Sequence, residues 1–408
     1  MTTIKDSVHD HVEVEGVAAA LLDTPAVQRL RRVAQLGTVS LVYPSANHTR
    51  FEHSLGVYHL ATEAVDHLGL RGGDAALVRA AAVLHDVGHG PYSHTVEDVI
   101  HRRTGRYHDE VGDLLSRGPV ADVLADHGLD PRDVADVVAG EGRLGQLVAG
   151  ELDVDRMDYL VRDAHHTGVP YGTIDHGRLL RALRFVDGDL VLDEGNVQTA
   201  ESLLLARALM NPTVYSHHVA RISKAMLRRA AERLCRTAAL APGELRRMDD
   251  AELLVAVREE PATAAVGERL ANRELFKRAA WVELRDVPEA VVDADHETVR
   301  EHERDIADRA DVDRDAVVLD VPERPRMRES TTRVLVNGEV RRLDEQSPLV
   351  NALRAANREQ WRLGVYAPAD ATDRVGRAAA SVLGLSVDGP LVAETGPPTG
   401  HATLDEFP

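Results

Sequence analysis

Nine of the twenty histidines fall between His48 and His108. Imidazole titrates near neutral pH and is the commonest protein metal ligand, so this concentration points to metal or proton-transfer chemistry. The densest run is Leu84-His85-Asp86-Val87-Gly88-His89-Gly90-Pro91-Tyr92-Ser93-His94. It places an imidazole beside a carboxylate at the end of an apolar stretch, where a carboxylate is costly unless paired or coordinated. Neighbours diverge on a regular helix, but at a helix end the chain can aim both at one point. Gly88 and Gly90 are expected to permit that bend. Two further runs add donors: Arg50-Phe51-Glu52-His53-Ser54-Leu55-Gly56 and Asp153-Val154-Asp155-Arg156-Met157-Asp158-Tyr159. The set His53, His85, Asp86 and Asp155 mixes nitrogen and oxygen without sulfur. It suits one divalent ion (Mn, Fe, Ni, Zn or Mg) with positions open to water, and not a closed structural zinc site. A lone His-Asp pair is more often a surface pair; three such runs in one chain favour the metal.

Asp155, Tyr159 and Asp163 recur at i, i+4 and i+8, along one ridge of a helix. If Asp155 faces a metal, a hydroxyl and a second carboxylate line the same cavity. A solvated acidic face fits that spacing equally well.

The elements that must position these residues read as helices. Asp23-Thr24-Pro25 is a helix start, and Val27, Leu30 and Val33 follow at helical spacing. The stretch 51–68 reads as a helix, and 77–84 as a buried one ending by Gly88. Asp187-Gly188 marks a small hairpin within 185–192, and 201–234 returns to helix. After about Val287 the character changes: a strand over 316–321, a hairpin over 332–343 around Asn337-Gly338, then helices over 349–362 and 370–383. The expected fold is mainly α, a helical bundle over 1–287 with a small C-terminal α+β appendage over 288–388. A loose Gly- and Pro-rich tail is expected over 389–408.

The net charge is −19, and the only lysines are Lys5, Lys224 and Lys277. Such a surface suits a high-salt cytoplasm and argues against stable nucleic-acid binding, which needs a basic stripe. A phosphate substrate would need a local cationic pocket. The single cysteine, Cys235, excludes a disulfide framework and a Cys-rich zinc site. No apolar run is long enough to span a membrane, and the polar first ten residues carry no signal peptide. A P-loop is excluded because no Gly-Lys dipeptide occurs.

These motifs resemble the HD-domain phosphohydrolase superfamily, and most closely its SAM-and-HD-domain deoxynucleoside triphosphate triphosphohydrolase branch, as a prokaryotic relative lacking the SAM domain. The similarity runs from Asp6-Ser7-Val8-His9-Asp10 through Gln28-Arg29-Leu30-Arg31, Gln35-Leu36-Gly37 and 50–56. It continues through 85–94 and 153–166 to Tyr215-Ser216-His217-His218. The resemblance implies an HD helical bundle with His53, His85, Asp86 and Asp155 as metal ligands. It implies release of a nucleoside and inorganic triphosphate from a dNTP, with water attacking the α-phosphorus, and allows a second Mg to arrive with the nucleotide. His94 is implied as the acid that protonates the leaving oxygen, with His89 and His108 beside it. Arg50, Arg156 and Arg207 are implied phosphate contacts. Gln35, Tyr159 and Asp163 would hold the sugar 3′ hydroxyl, and Leu36 with Tyr215 would crowd the 2′ position. Asp23, Gln28 and Arg31 match positions that read a regulatory nucleotide. The family also implies a homo-oligomer, dimer or tetramer. Three positions depart from the pattern: Arg156 replaces a lysine, Asn211 a histidine and Glu97 an aspartate. They leave two other readings open: hydrolysis of another phosphate ester, such as a nucleoside monophosphate or a nucleic-acid end, and a non-catalytic nucleotide sensor.

Overall fold

In a computed structural model the chain is described over residues 2–392, except 239, 242, 326, 328–330 and 388. The expected tail over 389–408 lies largely outside the described residues. The chain divides into two compact units, Met1–Glu274 with Arg326–Ala355, and Leu275–Pro325 with Ala356–Pro408. This differs from the expected boundary at 287/288. Strand Lys277–Glu283 already belongs to the second unit, while the Asn337-Gly338 hairpin belongs to the first.

The first unit is mainly helical. It opens with a hairpin that sequence reading missed, Thr2–Asp6 paired antiparallel with Asp10–Val14. The helices Arg50–His67, Gly72–Leu84 and Val154–Thr167 pack around a core of Val, Leu and Ala, including Leu60, Val83, Leu84, Met157 and Leu160. Aliphatic side chains fill it because the chain has few aromatic ones. Pro25 starts its short helix at the first position, as expected. The hairpins at Asp187-Gly188 and Asn337-Gly338 both form, with all four residues at positive φ. They join in one four-stranded sheet through parallel pairing of Leu192 with Val334. The helix expected over 201–234 is interrupted. Val197–Met210 passes into a π-helical turn, Asn211–Tyr215, before His218–Thr237 resumes. Pro212 lacks the N–H that a continuous helix would need.

The second unit is α+β. Strand Arg362–Ala367 lies between Lys277–Glu283 and Val318–Asp320, antiparallel to both. All six residues of that central strand are buried. A strand buried on both faces shows no alternation, so the helical reading over 349–362 ran to its edge without detecting it. Helices His296–Ala310 and Thr372–Leu383 pack with this sheet through Ile306, Ala307, Val375 and Ala379. Cys235 is buried and free. Among the described residues no helix is long and apolar enough to cross a membrane.

Candidate metal centre

Helix Arg50–His67 starts where Glu52 accepts from the Thr49 backbone N–H (2.7 Å) and hydroxyl (2.8 Å). That cap fixes the first turn, which carries Arg50 and His53. Helix Gly72–Leu84 ends at Leu84, so His85 and Asp86 fall in the turn that closes it, before Gly88. Neither Gly88 nor Gly90 takes a left-handed φ, contrary to the expected bend; Tyr92 (φ 54°) and Ser93 (φ 55°) do. The two glycines answer a need for space instead. A Cβ on Gly88 would lie 1.9 Å from the His108 carbonyl oxygen, and one on Gly90 2.4 Å from Ile100. Two arginines outside the expected set hold this loop. Arg29 donates to the Val87 (3.0 Å) and His89 (2.6 Å) carbonyls, and Arg246 to that of Gly88 (3.2 Å).

The four expected ligands converge. His53 Nε2 lies 3.2 Å from His85 Nε2, 2.9 Å from Asp155 Oδ1 and 3.8 Å from Asp86 Oδ2. His85 Nε2 lies 3.4 Å from Asp86 Oδ1 and 4.0 Å from Asp155 Oδ1. The outer nitrogens are engaged: His53 Nδ1 donates to Asp158 (2.7 Å) and His85 Nδ1 to the Ala82 carbonyl (2.9 Å). Each imidazole therefore turns its Nε2 inward, as ligands require. Burial disfavours charge on His53, but Asp155 and Asp158 at its two nitrogens outweigh that and push its pKa up to about 10. Burial also opposes charge on Asp86, yet Arg50 and the surrounding histidines hold its carboxyl well below the usual range. The donor atoms of His53, His85 and Asp86 gather closely enough to hold a divalent cation, and Asp155, 2.9 Å from His53 Nε2, would complete a two-imidazole, two-carboxylate set.

Beside them lies a second group, His89, His94, Glu97 and His108. Glu97 accepts from His94 Nδ1 (2.6 Å) and, through its other oxygen, from His108 Nδ1. Despite its burial, the two imidazoles hold the Glu97 carboxyl far below the usual range. Glu97 in turn outweighs burial at His108 and raises its pKa. His89 stacks on His108, ring centres 4.0 Å apart, and burial next to Arg50 and His108 keeps it neutral. The His94 side chain is 60% exposed, which leaves Nε2 accessible.

The remaining expected residues line adjoining ground. Asp163 accepts from His48 Nε2 (2.8 Å) and the Tyr215 hydroxyl (2.9 Å). Burial and the Asp163 charge keep Tyr215 protonated. Tyr159 sits between His53 and Tyr215, ring centres 6.5 and 6.2 Å away. Gln35 is buried, and its Oε1 has no partner. Leu36 is half-buried against the core. Arg50 spends Nε on Ser93 (2.8 Å) and Nη1 on Asp86 (3.0 Å), leaving Nη2 one long contact, to the Gln35 carbonyl at 3.4 Å. Arg156 donates to Asp153 and to the Gly150 carbonyl. The charge of Arg207 is felt at Asp153, Tyr159 and Tyr215. Asn211 accepts from Ser216 (3.1 Å). The residues expected to read a regulatory nucleotide have local partners. Gln28 donates to the Leu22 carbonyl (2.7 Å), and Arg31 bonds Gln28 (3.0 Å) and stacks 3.5 Å over Phe51. Asp23 is exposed.

Comparison with known proteins gives the family of the chain. A family profile for the HD domain covers residues 50–163, and one for the HD associated region covers 174–394. The chain belongs to the HD-domain phosphohydrolase family. An uncharacterized protein of Methanocaldococcus jannaschii is 32% identical to this HD-domain chain over 377 residues, 90% of this chain and 79% of that protein. The deoxynucleoside triphosphate triphosphohydrolase SAMHD1 of Homo sapiens is 29% identical over 56% of this chain and 44% of its own length. The homolog of that enzyme in Dictyostelium discoideum is 32% identical over 55% and 48%. The HD-domain chain thus spans about half the length of these triphosphohydrolases. Among solved structures, a phosphohydrolase from Bacteroides thetaiotaomicron superimposes with a TM-score of 0.71 at 25% identity, over 90% of this chain and all of that one.

Sequence reading missed the residues that act from behind: Asp158, Arg162, Asp6 and His9 around His53, Arg29 and Arg246 on the loop, and His48 on Asp163. One signal was available. Asp158 and Arg162 have the i, i+4 spacing of a helical ion pair, three residues beyond Asp155.

Proposed function

We propose that this protein hydrolyses deoxynucleoside triphosphates to deoxynucleoside and inorganic triphosphate. The observation that carries the reading is the convergence of His53, His85, Asp86 and Asp155, with the Asp163–Tyr215 pair two turns along the helix that supplies Asp155. A divalent ion on the four ligands would supply charge neutralisation at a phosphoryl group and acidify water. The chain's own residues do the rest. Arg50, Arg156 and Arg207 bring positive charge to the phosphates of an otherwise acidic protein. His94, its Nδ1 held by Glu97, offers Nε2 to protonate O5′ as the phosphorus–O5′ bond breaks. Water supplies the oxygen that ends on the triphosphate. His89 and His108 flank that transfer.

At the sugar end, Asp163 is fixed between His48 and Tyr215, Tyr159 lies alongside, and Gln35 has an unpartnered buried acceptor. A ligand hydroxyl satisfies such an acceptor, and a buried one left unmade costs about 1–3 kcal/mol. These three residues are assigned to the 3′ hydroxyl, and Leu36 with Tyr215 to exclusion of a 2′ hydroxyl.

The test is an anion-exchange product assay at high salt with Mn2+, using each dNTP beside the matching ribonucleotides and monophosphates. Triphosphate and deoxynucleoside from dNTPs, with little turnover of ribonucleotides, is the expected result. Orthophosphate from monophosphates, with dNTPs untouched, overturns the substrate assignment and favours another phosphate ester.

A further inference from the structure

Behind His53 runs a buried chain of charged groups that reaches the N-terminal hairpin. Asp158 accepts from His53 Nδ1 (2.7 Å) with one oxygen and from His9 Nε2 (2.6 Å) with the other. Arg162, one turn along the same helix, donates to Asp158 through Nε (2.9 Å) and Nη2 (3.0 Å). The rest of its guanidinium grips Asp6, with Nη1 at 2.9 Å and Nη2 at 3.2 Å. Asp6 is fixed in turn by the backbone N–H groups of Val8 (2.9 Å) and His9 (2.8 Å). The side chains of Asp158 and Arg162 are wholly buried, and those of Asp6 and His9 are nearly so.

A staple holding a hairpin to a helix needs one arginine and one carboxylate. This chain has two carboxylates on one arginine, so it carries a surplus negative charge in the interior. The extra carboxylate, Asp158, is spent on two imidazoles: His9, and His53, whose opposite nitrogen faces the other metal ligands. The space is also reserved: a Cβ on Gly56 would lie 1.9 Å from Asp158 Oδ1 and 2.4 Å from Arg162 Nη2. A glycine inside a helix ordinarily costs about 1 kcal/mol relative to alanine, so its presence here answers to that packing.

We infer that Asp6, His9 and Arg162 are positioning residues of the metal centre, acting through Asp158, which fixes the His53 ring so that Nε2 faces His85 and Asp155. The inference rests on the metal reading above. It makes the hairpin Thr2–Val14 part of the metal centre, not a separate decoration. Partners that orient a ligating imidazole are worth roughly 10–100-fold in metal affinity.

The test uses Co(II), with affinity read by competition against a chelator and geometry read from the visible absorption of the bound ion. Asp158→Asn should weaken Co(II) binding by about 10–100-fold and alter the spectrum. His9→Ala, at the rim of the chain and least liable to unfold the protein, should weaken binding in the same direction. His9→Gln, which restores an N–H donor toward Asp158, should recover most of the loss. A merely structural contact would lower the melting temperature and leave the Co(II) spectrum alone. Folded His9→Ala and Asp158→Asn proteins that bind Co(II) like wild type, with unchanged spectra, overturn the inference while the metal reading stands. Wild-type protein that takes up no Co(II) overturns the metal reading, and the inference falls with it.

Discussion

The two histidine clusters share the loop 85–94, yet their imidazoles are held in opposite ways. At His53 and His85 the outer Nδ1 atoms are spent on Asp158 and the Ala82 carbonyl, and the Nε2 atoms face each other at 3.2 Å. At His94 and His108 the Nδ1 atoms both turn to one carboxylate, Glu97, and the exposed His94 ring presents Nε2 outward. The first arrangement gathers inward ring nitrogens beside Asp86 and Asp155, as cation ligands require. The second shares protons with a carboxylate, as a proton donor requires. Residue type alone does not separate the two groups, nor does the Nδ1 partner, a carboxylate at both His53 and His94; what the Nε2 atoms face does.

The largest expected effect strikes the first cluster. His85→Ala and Asp86→Ala should remove bound metal and abolish turnover. Asp86→Ala should also strand the buried Arg50 guanidinium, lowering stability by about 3–5 kcal/mol, readable in denaturant unfolding. Near-normal metal content in either protein would break the comparison.

The next effect strikes the second cluster. His94→Ala should keep its metal while kcat falls by roughly 10²–10⁴-fold, which single-turnover kinetics with metal analysis would show. Glu97→Gln should cost less, and it should move the alkaline limb of the rate profile to lower pH, because burial lowers the pKa of His94, the proposed acid, and the Glu97 carboxylate works against that by raising it. Loss of metal from His94→Ala would merge the two clusters into one.

A third effect separates them by pH. In metal-free protein the His53 pKa is raised from 6.5 to about 10, so the folded state keeps a proton that the unfolded chain releases. That stabilisation is complete below pH 6.5 and is lost as pH rises toward 10. Denaturant unfolding at several pH values should show the decline without metal and a much flatter profile with it, because the cation replaces the proton. Identical slopes would show that His53 is not a shared site.

The smallest effect is a control outside both clusters. Arg31→Ala loses its stack on Phe51 and should cost about 0.5–1 kcal/mol with kcat unchanged. A nucleotide-dependent change in rate that disappears in this variant would instead support the regulatory assignment.

Much of the site was legible in the sequence because its ligands sit in short local runs. His85-Asp86 and the ridge from Asp155 to Asp163 carry their geometry in their spacing. Long-range contacts were not legible. Asp158 reads as one more acidic residue until Arg162, Asp6 and His9 are seen around it, and His9 lies 149 residues away. Gly88 and Gly90 were read as hinges, whereas their role is to clear space for His108 and Ile100. In the fold, the hairpins with Asp-Gly and Asn-Gly turns were plain. Strand Arg362–Ala367 was not, because burial on both faces removes the alternation that marks a strand.

The most direct test of the account is hydrolysis of a dNTP in 18O-labelled water, with products followed by phosphorus NMR and mass spectrometry. The account predicts unlabelled deoxynucleoside and triphosphate carrying one 18O atom, the outcome of water attack at the α-phosphorus with cleavage to O5′. Orthophosphate or pyrophosphate as the first product, or label in the nucleoside, would contradict it.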